Sequence, residues 1–539
     1  MLCKKGRFTR AVSALCIASI LCGSFVGCSG SSTASQSATK SQSAAAQGTA
    51  KSNQDNQKVS FTIIVPYTDE QAQKDNIVEK TLEEKTNSNI NIVWTPMVSY
   101  GDKYNVIMSS GQFPDVLLIA DVKGSTYLDA AQNDQFWDLT SYLKKNDTYA
   151  GFENLNSVSL DNSATDGKNY VIPRERTVKR KDVCYRADWA KKAGLDAPDT
   201  IDKIYKMAKT FAAGDFDGNG KKDTVGLLLG TVSDGGGETI DCLNELVVAN
   251  GGVNGWGLKG GKMVADVTTP EYFKTIQWLR KMCQEGVVSK DFAITKTTAQ
   301  MSEYVDKEKA GLWLSYGLPG LSDSVLKAKQ KADPKVKRSD VYGFTYLKDA
   351  SGNFRIPAEI GYNAGWAIPK SAVKDEGKLQ GILRVFNYLC TKNGQRLINN
   401  GIEGRHYKLL SDKDNTCEQI GDSSGKDLTK EFNCMNQLSC AGNYCLGSVS
   451  DEIGLRLAKE RQTYKDSDLI KDVSAPLVSK TSSEKLPTLN KNFDTALFKY
   501  ILGQTNDSDF KAAIQQWKTD GGDQIAKEYT EAYQKTQSK

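Results

Sequence analysis

The stretch Asp215-Phe-Asp217-Gly-Asn219-Gly220-Lys221-Lys-Asp223 sets oxygen-bearing side chains at loop positions 1, 3, 5 and 9 and a glycine at position 6. That is the first part of an EF-hand loop. The spacing suits a hard cation: alternate side chains point inward, Lys221 offers its carbonyl, and Gly220 permits the sharp turn. Position 12 is Gly226 and not a bidentate glutamate, so the loop departs from an ordinary EF-hand. The pattern predicts a structural calcium ion held by Asp215, Asp217, Asn219, Asp223 and the carbonyl of Lys221. The competing reading is a polar turn without metal. A constitutive ion is expected and not a sensor, because such a loop opens no helix pair.

Catalytic chemistry finds less support. His-Glu-x-x-His and P-loop patterns are absent, and the single histidine, His406, leaves no histidine-based metal site. A glycosidase needs only two carboxylates, but no glycosidase signature pairs any two of the 65 acidic residues. An enzyme is therefore not expected.

The elements that must position such groups read as α/β. Lys58 to Val65 and Asn89 to Trp94 are β-rich, with a helical stretch from Asn76 to Lys85 between them, the β-α-β start of a parallel sheet. Asp115 to Ile119 reads as a short buried strand. Thr200 to Phe211 carries Ile201, Ile204, Ala208 and Phe211 at helical spacing. Pro270 to Glu285 is a helix capped by Thr269 and stopped by Gly286, with Phe273, Ile276, Leu279 and Cys283 as its apolar stripe. Arg384 to Asn399 and Phe493 to Ile501 also read as helices. No internal repeat occurs.

The N-terminus begins with Lys4, Lys5, Arg7 and Arg10, followed by an apolar run from Ala11 to Val26. A short apolar core behind positive charge reads as a secretory leader. The tetrapeptide Phe25-Val26-Gly27-Cys28 resembles a lipobox, which predicts cleavage of residues 1–27 and a lipid on Cys28; an ordinary leader with an incidental cysteine is the alternative. Residues 28–57 are Ser-, Ala-, Thr-, Gln- and Lys-rich and predict a disordered tether. The remainder is too long for one simple core and predicts two lobes. The formal charge is +5 and the leader carries four positive charges, leaving about +1, with no basic concentration of the kind nucleic acid requires. Of twelve cysteines, eight lie beyond Cys28. Cys417, Cys434, Cys440 and Cys445 are crowded, so disulfides among them, free thiols or a zinc site stand as readings.

Several segments resemble, in order, those of extracellular solute-binding proteins of ABC importers: GQFPDVLLI (Gly111 to Ile119), NYVIPRE (Asn169 to Glu175), CYRADWAKKAGLDAPDTIDKIYKMAKTF (Cys184 to Phe211), QEGVVSKDF (Gln284 to Phe292) and NNGIEGRHY (Asn399 to Tyr407). The resemblance implies an α/β, two-lobed type II periplasmic-binding-protein fold with hinge crossovers and an interlobe cleft. The N-terminal lobe is expected over 58–173 and 361–450, and the C-terminal lobe over 174–360 and 451–539. The implied function is capture of an oligosaccharide for the transmembrane subunits of an ABC permease, by a lipid-anchored monomer on the outer face of the cell membrane. A polysaccharide-binding adhesin and a binder of a non-sugar solute such as a peptide are the alternatives. The Asp215 loop looks like the calcium loop of alginate-binding relatives, except that Thr224 stands where they have an acidic residue. Candidates for the cleft are Tyr67, Tyr100, Arg174, Trp313, Tyr316, Tyr362, Trp366, Arg405 and Tyr407. Trp313 leads them, expected on a loop where related sugar binders place a stacking tryptophan. Trp189 and Trp278 are expected in the core, and Glu403 is expected to brace its glycine-rich loop.

Overall fold

The computed structural model describes residues 57–537 except 69, 145–146, 180, 235–236, 290, 296–297, 317–322, 422–427, 450–454 and 456–464. The leader, Cys28 and residues 29–56 lie outside the described residues. Strands β1 (Val59–Tyr67) and β2 (Ser88–Pro96) run parallel, from Val59 opposite Ser88 to Tyr67 opposite Pro96. Helix α1 (Ile77–Thr86) crosses between them. It starts where the Asn76 side chain accepts the N–H groups of Val78 and Glu79 at 3.0 and 2.9 Å, and it ends at Asn87 in the left-handed region. Strand β3 (Val116–Ile119) joins β1 in parallel on its other side. The strand Tyr362–Ala367 then returns antiparallel to β3, and β4 (Val171–Glu175) closes that edge. The order is β2, β1, β3, Tyr362–Ala367, β4.

A second sheet has β5 (Lys181–Arg186) at its centre, flanked antiparallel by Leu312–Tyr316 and Tyr342–Thr345. Hydrophobic cores divide along the same line. One is drawn from residues between Val59 and Ile172 and between Tyr362 and Ala441. Another is drawn from Val183 to Leu347 and Leu477 to Tyr529. The chain is two-lobed, an α/β fold of the type II periplasmic-binding-protein class. The second sheet is buried on both faces, because a further apolar cluster around Met301, Val325, Val341 and Tyr342 covers the side away from the larger core.

Helices Ile201–Ala213 and Pro270–Gln284 start at the capping hydroxyls of Thr200 and Thr269. The buried face of the latter is Tyr272, Thr275, Ile276, Leu279 and Met282, rotated slightly from the expected stripe so that Phe273 and Cys283 lie at its margin. The helix expected at Arg384 to Asn399 is two, Glu376–Cys390 and Lys392–Asn400. Thr391 breaks it with extended backbone, and its hydroxyl caps the second helix at the Gly394 N–H, 3.2 Å away. Gly394 is required there, since a Cβ would lie 1.9 Å from the Tyr388 carbonyl. The last predicted helix starts earlier, running Lys480–Ile501 through Pro487. Trp189 is buried in the second core, and Trp278 packs at its margin.

Candidate functional site

Because β1, β2 and β3 are parallel and β4 runs the same way, their C-terminal ends share one edge of the first sheet. Ligands of open α/β sheets bind outside that edge. It collects Tyr67 at the end of β1, Arg174 and Glu175 at the end of β4, and Tyr362 and Asn363 at the start of the antiparallel strand. The chain crosses toward the second lobe from the same place: the Arg176 N–H meets the Gly361 carbonyl at 2.8 Å, and the Glu359 N–H meets the Val178 carbonyl at 3.0 Å. Beyond the crossing, β5 begins at Lys181, with Tyr316 opposite it in register.

Tyr67 is half-buried and meets Trp94 edge-on, with ring centroids 6.5 Å apart. Arg174 is only 4% exposed. Its Nη2 donates to Gln437 Oε1 at 2.5 Å, while its Nε has no partner among the described residues. Burial and the neighbouring Arg176 pull this guanidinium down to about 10. In the amide orientation that satisfies both neighbours, Asn363 bridges the pair, donating to the Arg174 carbonyl at 3.2 Å and accepting from Arg176 Nη2 at 3.3 Å. The ladder is irregular between Tyr362 and Ala364, which turns the exposed Asn363 outward. Tyr362 is buried, its hydroxyl donating to the Asn162 carbonyl at 3.3 Å. Glu175 accepts the Asn156 N–H, and burial raises its carboxyl to about 7.

Other candidates lie elsewhere. Trp313 is not on a loop: it sits within Leu312–Tyr316 opposite Cys184, 0% exposed, edge-on to Tyr342 at 6.3 Å. The strand alternates, with Leu312 and Leu314 facing the larger core and Trp313 facing the smaller one, so a stacking role for its ring is corrected to packing. Trp366 is likewise 0% exposed, beside Phe386, with its indole N–H donating to the Ser439 carbonyl at 3.4 Å. Tyr100 is buried in helix α2 (Met97–Ser110) and donates to the Leu118 carbonyl at 2.7 Å. Tyr407 is buried with Cys417 and Leu446 in a separate three-stranded sheet. Arg405 is committed to Glu431 through contacts of 2.9 and 3.0 Å. Tyr316 ends its strand at the crossing side. The sequence reading missed Arg176, Asn363 and Gln437. The two-residue period of a strand running through Arg174 was a usable signal for Arg176; nothing local marked Gln437.

The Asp215 loop closes on itself. Asp215 accepts the N–H groups of Gly218 and Gly220 at 2.8 and 3.0 Å, and the Asn219 amide donates to Asp217 and Asp223 at 2.7 and 3.0 Å. Gly220 has φ +80°, as the turn requires. Desolvation, and then the neighbouring carboxylates Asp215 and Asp223, hold Asp217 above the usual carboxylate range despite the Asn219 N–H. Among the described residues no group of three or more His, Cys, Asp or Glu side chains is arranged to hold a metal ion. The donor set is nevertheless all oxygen and crowded with like charge, which is what a hard divalent cation relieves. Thr224 is buried and its hydroxyl donates to the Phe211 carbonyl at 2.6 Å, serving the preceding helix end. Gly226 cannot be a glutamate, since a Cβ there would lie 2.2 Å from the Ala208 carbonyl. Cys417, Cys434, Cys440 and Cys445 are free thiols.

Residues 66–396 match the family described as bacterial extracellular solute-binding protein. The chain belongs to that family. This solute-binding protein is 30% identical over 495 residues, 90% of its length and 95% of the relative's, to the polygalacturonan/rhamnogalacturonan-binding protein YtcQ of Bacillus subtilis (strain 168). It is 31% identical to lipoprotein LipO of the same organism, across 84% of this chain and 88% of that one. A solved structure of an EF-hand mutant of the Streptococcus pneumoniae ABC-transporter substrate-binding protein FusA, in complex with fructo-nystose, superposes with a TM-score of 0.60 at 15% identity, covering 89% of this chain and 99% of the other. YtcQ and FusA are binding proteins. Among the described residues no helix is long and apolar enough to cross a membrane.

Proposed function

We propose that this solute-binding protein captures an oligosaccharide at the C-terminal edge of its first sheet and delivers it to the transmembrane subunits of an ABC permease. The observation that carries the reading is the convergence of Tyr67, Arg174, Tyr362 and Asn363 on an edge from which the chain crosses between lobes. An aromatic ring can stack on a sugar face, and guanidinium and amide groups orient hydroxyls. The ligands in the names of YtcQ and of the FusA complex support a sugar. A ligand held from both lobes, with Tyr316 on the second side, favours the closed form, and that differential affinity shifts the equilibrium. The protein acts by binding, as a monomer, and turns over no substrate.

Three further assignments belong to the reading. The lobes take 58–173 with 361–450, and 174–360 with 451–539. Calcium is held by Asp215, Asp217, Asn219, Asp223 and the Lys221 carbonyl, after the Asn219 amide turns its oxygen inward; when bound, the ion supplies a fixed charge that ties the loop. Cys28 carries the lipid, as the kinship with a lipoprotein supports; Cys28→Ser is expected to release protein to the medium or to leave it uncut, and an unchanged detergent-extracted membrane fraction refutes this. The central test is calorimetric titration against a panel of neutral and acidic oligosaccharides beside short peptides. Saturable binding of a sugar is expected; binding of peptides alone overturns the reading.

A further inference from the structure

Arg174 is a costly residue to leave as it stands. A buried guanidinium is normally matched by a carboxylate or by a full set of acceptors. Here a side chain 4% exposed has one amide acceptor, Gln437, and a free Nε. Among the described residues it forms no ion pair, and the charge that acts on it most strongly after burial is that of Arg176, which is of like sign. Glu175 lies between the two in sequence but on the opposite side of the pleat, where it receives the Asn156 N–H. Since the Arg176 N–H continues the ladder to Gly361, Arg174 and Arg176 share one face of β4, roughly 7 Å apart along the strand. The strand is the sheet's edge; Arg174 lies at its C-terminal end and Arg176 just beyond it. Asn363 stands between them at the irregularity in the neighbouring strand.

We infer that Arg174 and Arg176, with Asn363, form a subsite for a carboxylate of the bound sugar, so that the ligand of this protein is a uronate-containing oligosaccharide. The inference rests on the reading of this edge as the sugar site. A carboxylate supplies two planar acceptors to a guanidinium fork. It also supplies the opposite charge that the buried Arg174 guanidinium lacks, which the hydroxyls of a neutral sugar do not.

The test is titration calorimetry of the full mature chain with trigalacturonate, with its fully methyl-esterified form, and with the neutral trisaccharides kestose and maltotriose. Free galacturonate serves as the source of the same carboxylate without neighbouring sugars. The acid trisaccharide is expected to bind about tenfold to a hundredfold tighter than its ester, to weaken as salt rises, and to exceed free galacturonate. Arg176→Gln, at a half-buried position, is expected to abolish the preference for the acid, lowering affinity for the acid far more than for the ester. Arg174→Lys keeps the charge without the fork and is expected to lose part of the preference; its melting curve reports whether it folds. Equal affinity for acid and ester, or equal loss of both in Arg176→Gln, overturns the inference. Binding of kestose or maltotriose without trigalacturonate overturns it too, while leaving the oligosaccharide reading intact. Binding of no sugar at all removes both.

Discussion

Each lobe contains a strand that carries a core tryptophan and, three positions away, a residue beside the crossing between lobes. In Leu312–Tyr316, Trp313 packs between apolar neighbours while Tyr316 ends the strand opposite Lys181 at the crossing. In Tyr362–Ala367, Trp366 is sealed beside Phe386 while Asn363 faces out and holds Arg176. On this contrast, distance from the sheet edge, more than residue type, is expected to decide contact with the ligand. In both strands the tryptophan stands at the interior end. The polar groups stand at the edge.

The largest expected effect tests the interior end. Trp313→Ala removes a fully buried ring and is expected to cost about 3–5 kcal/mol of stability, with affinity for the sugar nearly unchanged in the fraction that remains folded. An apo melting curve beside a calorimetric titration checks this. Lost affinity with an unchanged melting temperature would return Trp313 to the cleft and break the comparison.

Charge near the crossing gives the next effect. Glu245 is buried, one of its oxygens lacks a partner, and burial raises its carboxyl to about 7, with Lys181 opposing and Glu359 and Asp241 adding to the rise. Lys181 lies 3.8 Å from Asp241 and 3.9 Å from Glu359. A carboxyl raised in the folded state binds its proton more tightly there than in the unfolded chain. Its contribution is complete below the ordinary value near 4.5 and is lost as pH rises through about 7. Glu245→Gln should therefore match the wild type at pH 4.5 and exceed it by about 3 kcal/mol above pH 7. Denaturant midpoints across this range decide it, and a constant difference between the two proteins would remove Glu245 as the cause.

Under the proposed assignment calcium is expected to contribute a comparable amount by a different route, from the ion and not from packing. At a hundredfold excess over its Kd, an ion bound only by the native state adds about 2.7 kcal/mol. EDTA is expected to lower the melting temperature, calcium to restore it, and Asp217→Ala to abolish the response. A purified protein without calcium by elemental analysis, and without response to added calcium, would leave the loop as a self-closed turn.

The loop and the edge also differ in how far each could be read from the chain. The loop's donors lie within one contiguous stretch, so spacing alone brought Asp215, Asp217, Asn219 and Asp223 together, and the hydrogen bonds through Asn219 confirm that proximity. The β-α-β start and the capped helices at Thr200 and Thr269 were legible for the same reason: each depends on neighbours in sequence. The edge depends on topology. That Glu175 stands opposite Tyr362, and that Gln437 reaches Arg174 across 263 residues, follows from strand order, which periodicity does not encode. Trp313 was misplaced because a strand covered on both faces lacks the alternation that distinguishes inside from outside.

The smallest effect is the sharpest test of the cleft end. Tyr67 is half-buried at the C-terminal end of β1, where its ring meets that of Trp94 edge-on. Truncating it opens no sealed cavity, so the stability loss should be small. If its face stacks on a sugar ring, Tyr67→Ala should weaken binding by about 1–2 kcal/mol, the scale of the apolar area involved. Tyr67→Phe should keep nearly all the affinity, because stacking uses the ring and not the hydroxyl. Tyr100→Phe supplies the interior control: it deletes the bond to the Leu118 carbonyl and should cost about 1 kcal/mol of stability without altering the titration. Calorimetry and melting curves on the three variants separate the two ends of the architecture. Equal responses of Tyr67 and Tyr100 in both measurements would mean that distance from the sheet edge does not govern contact with the ligand.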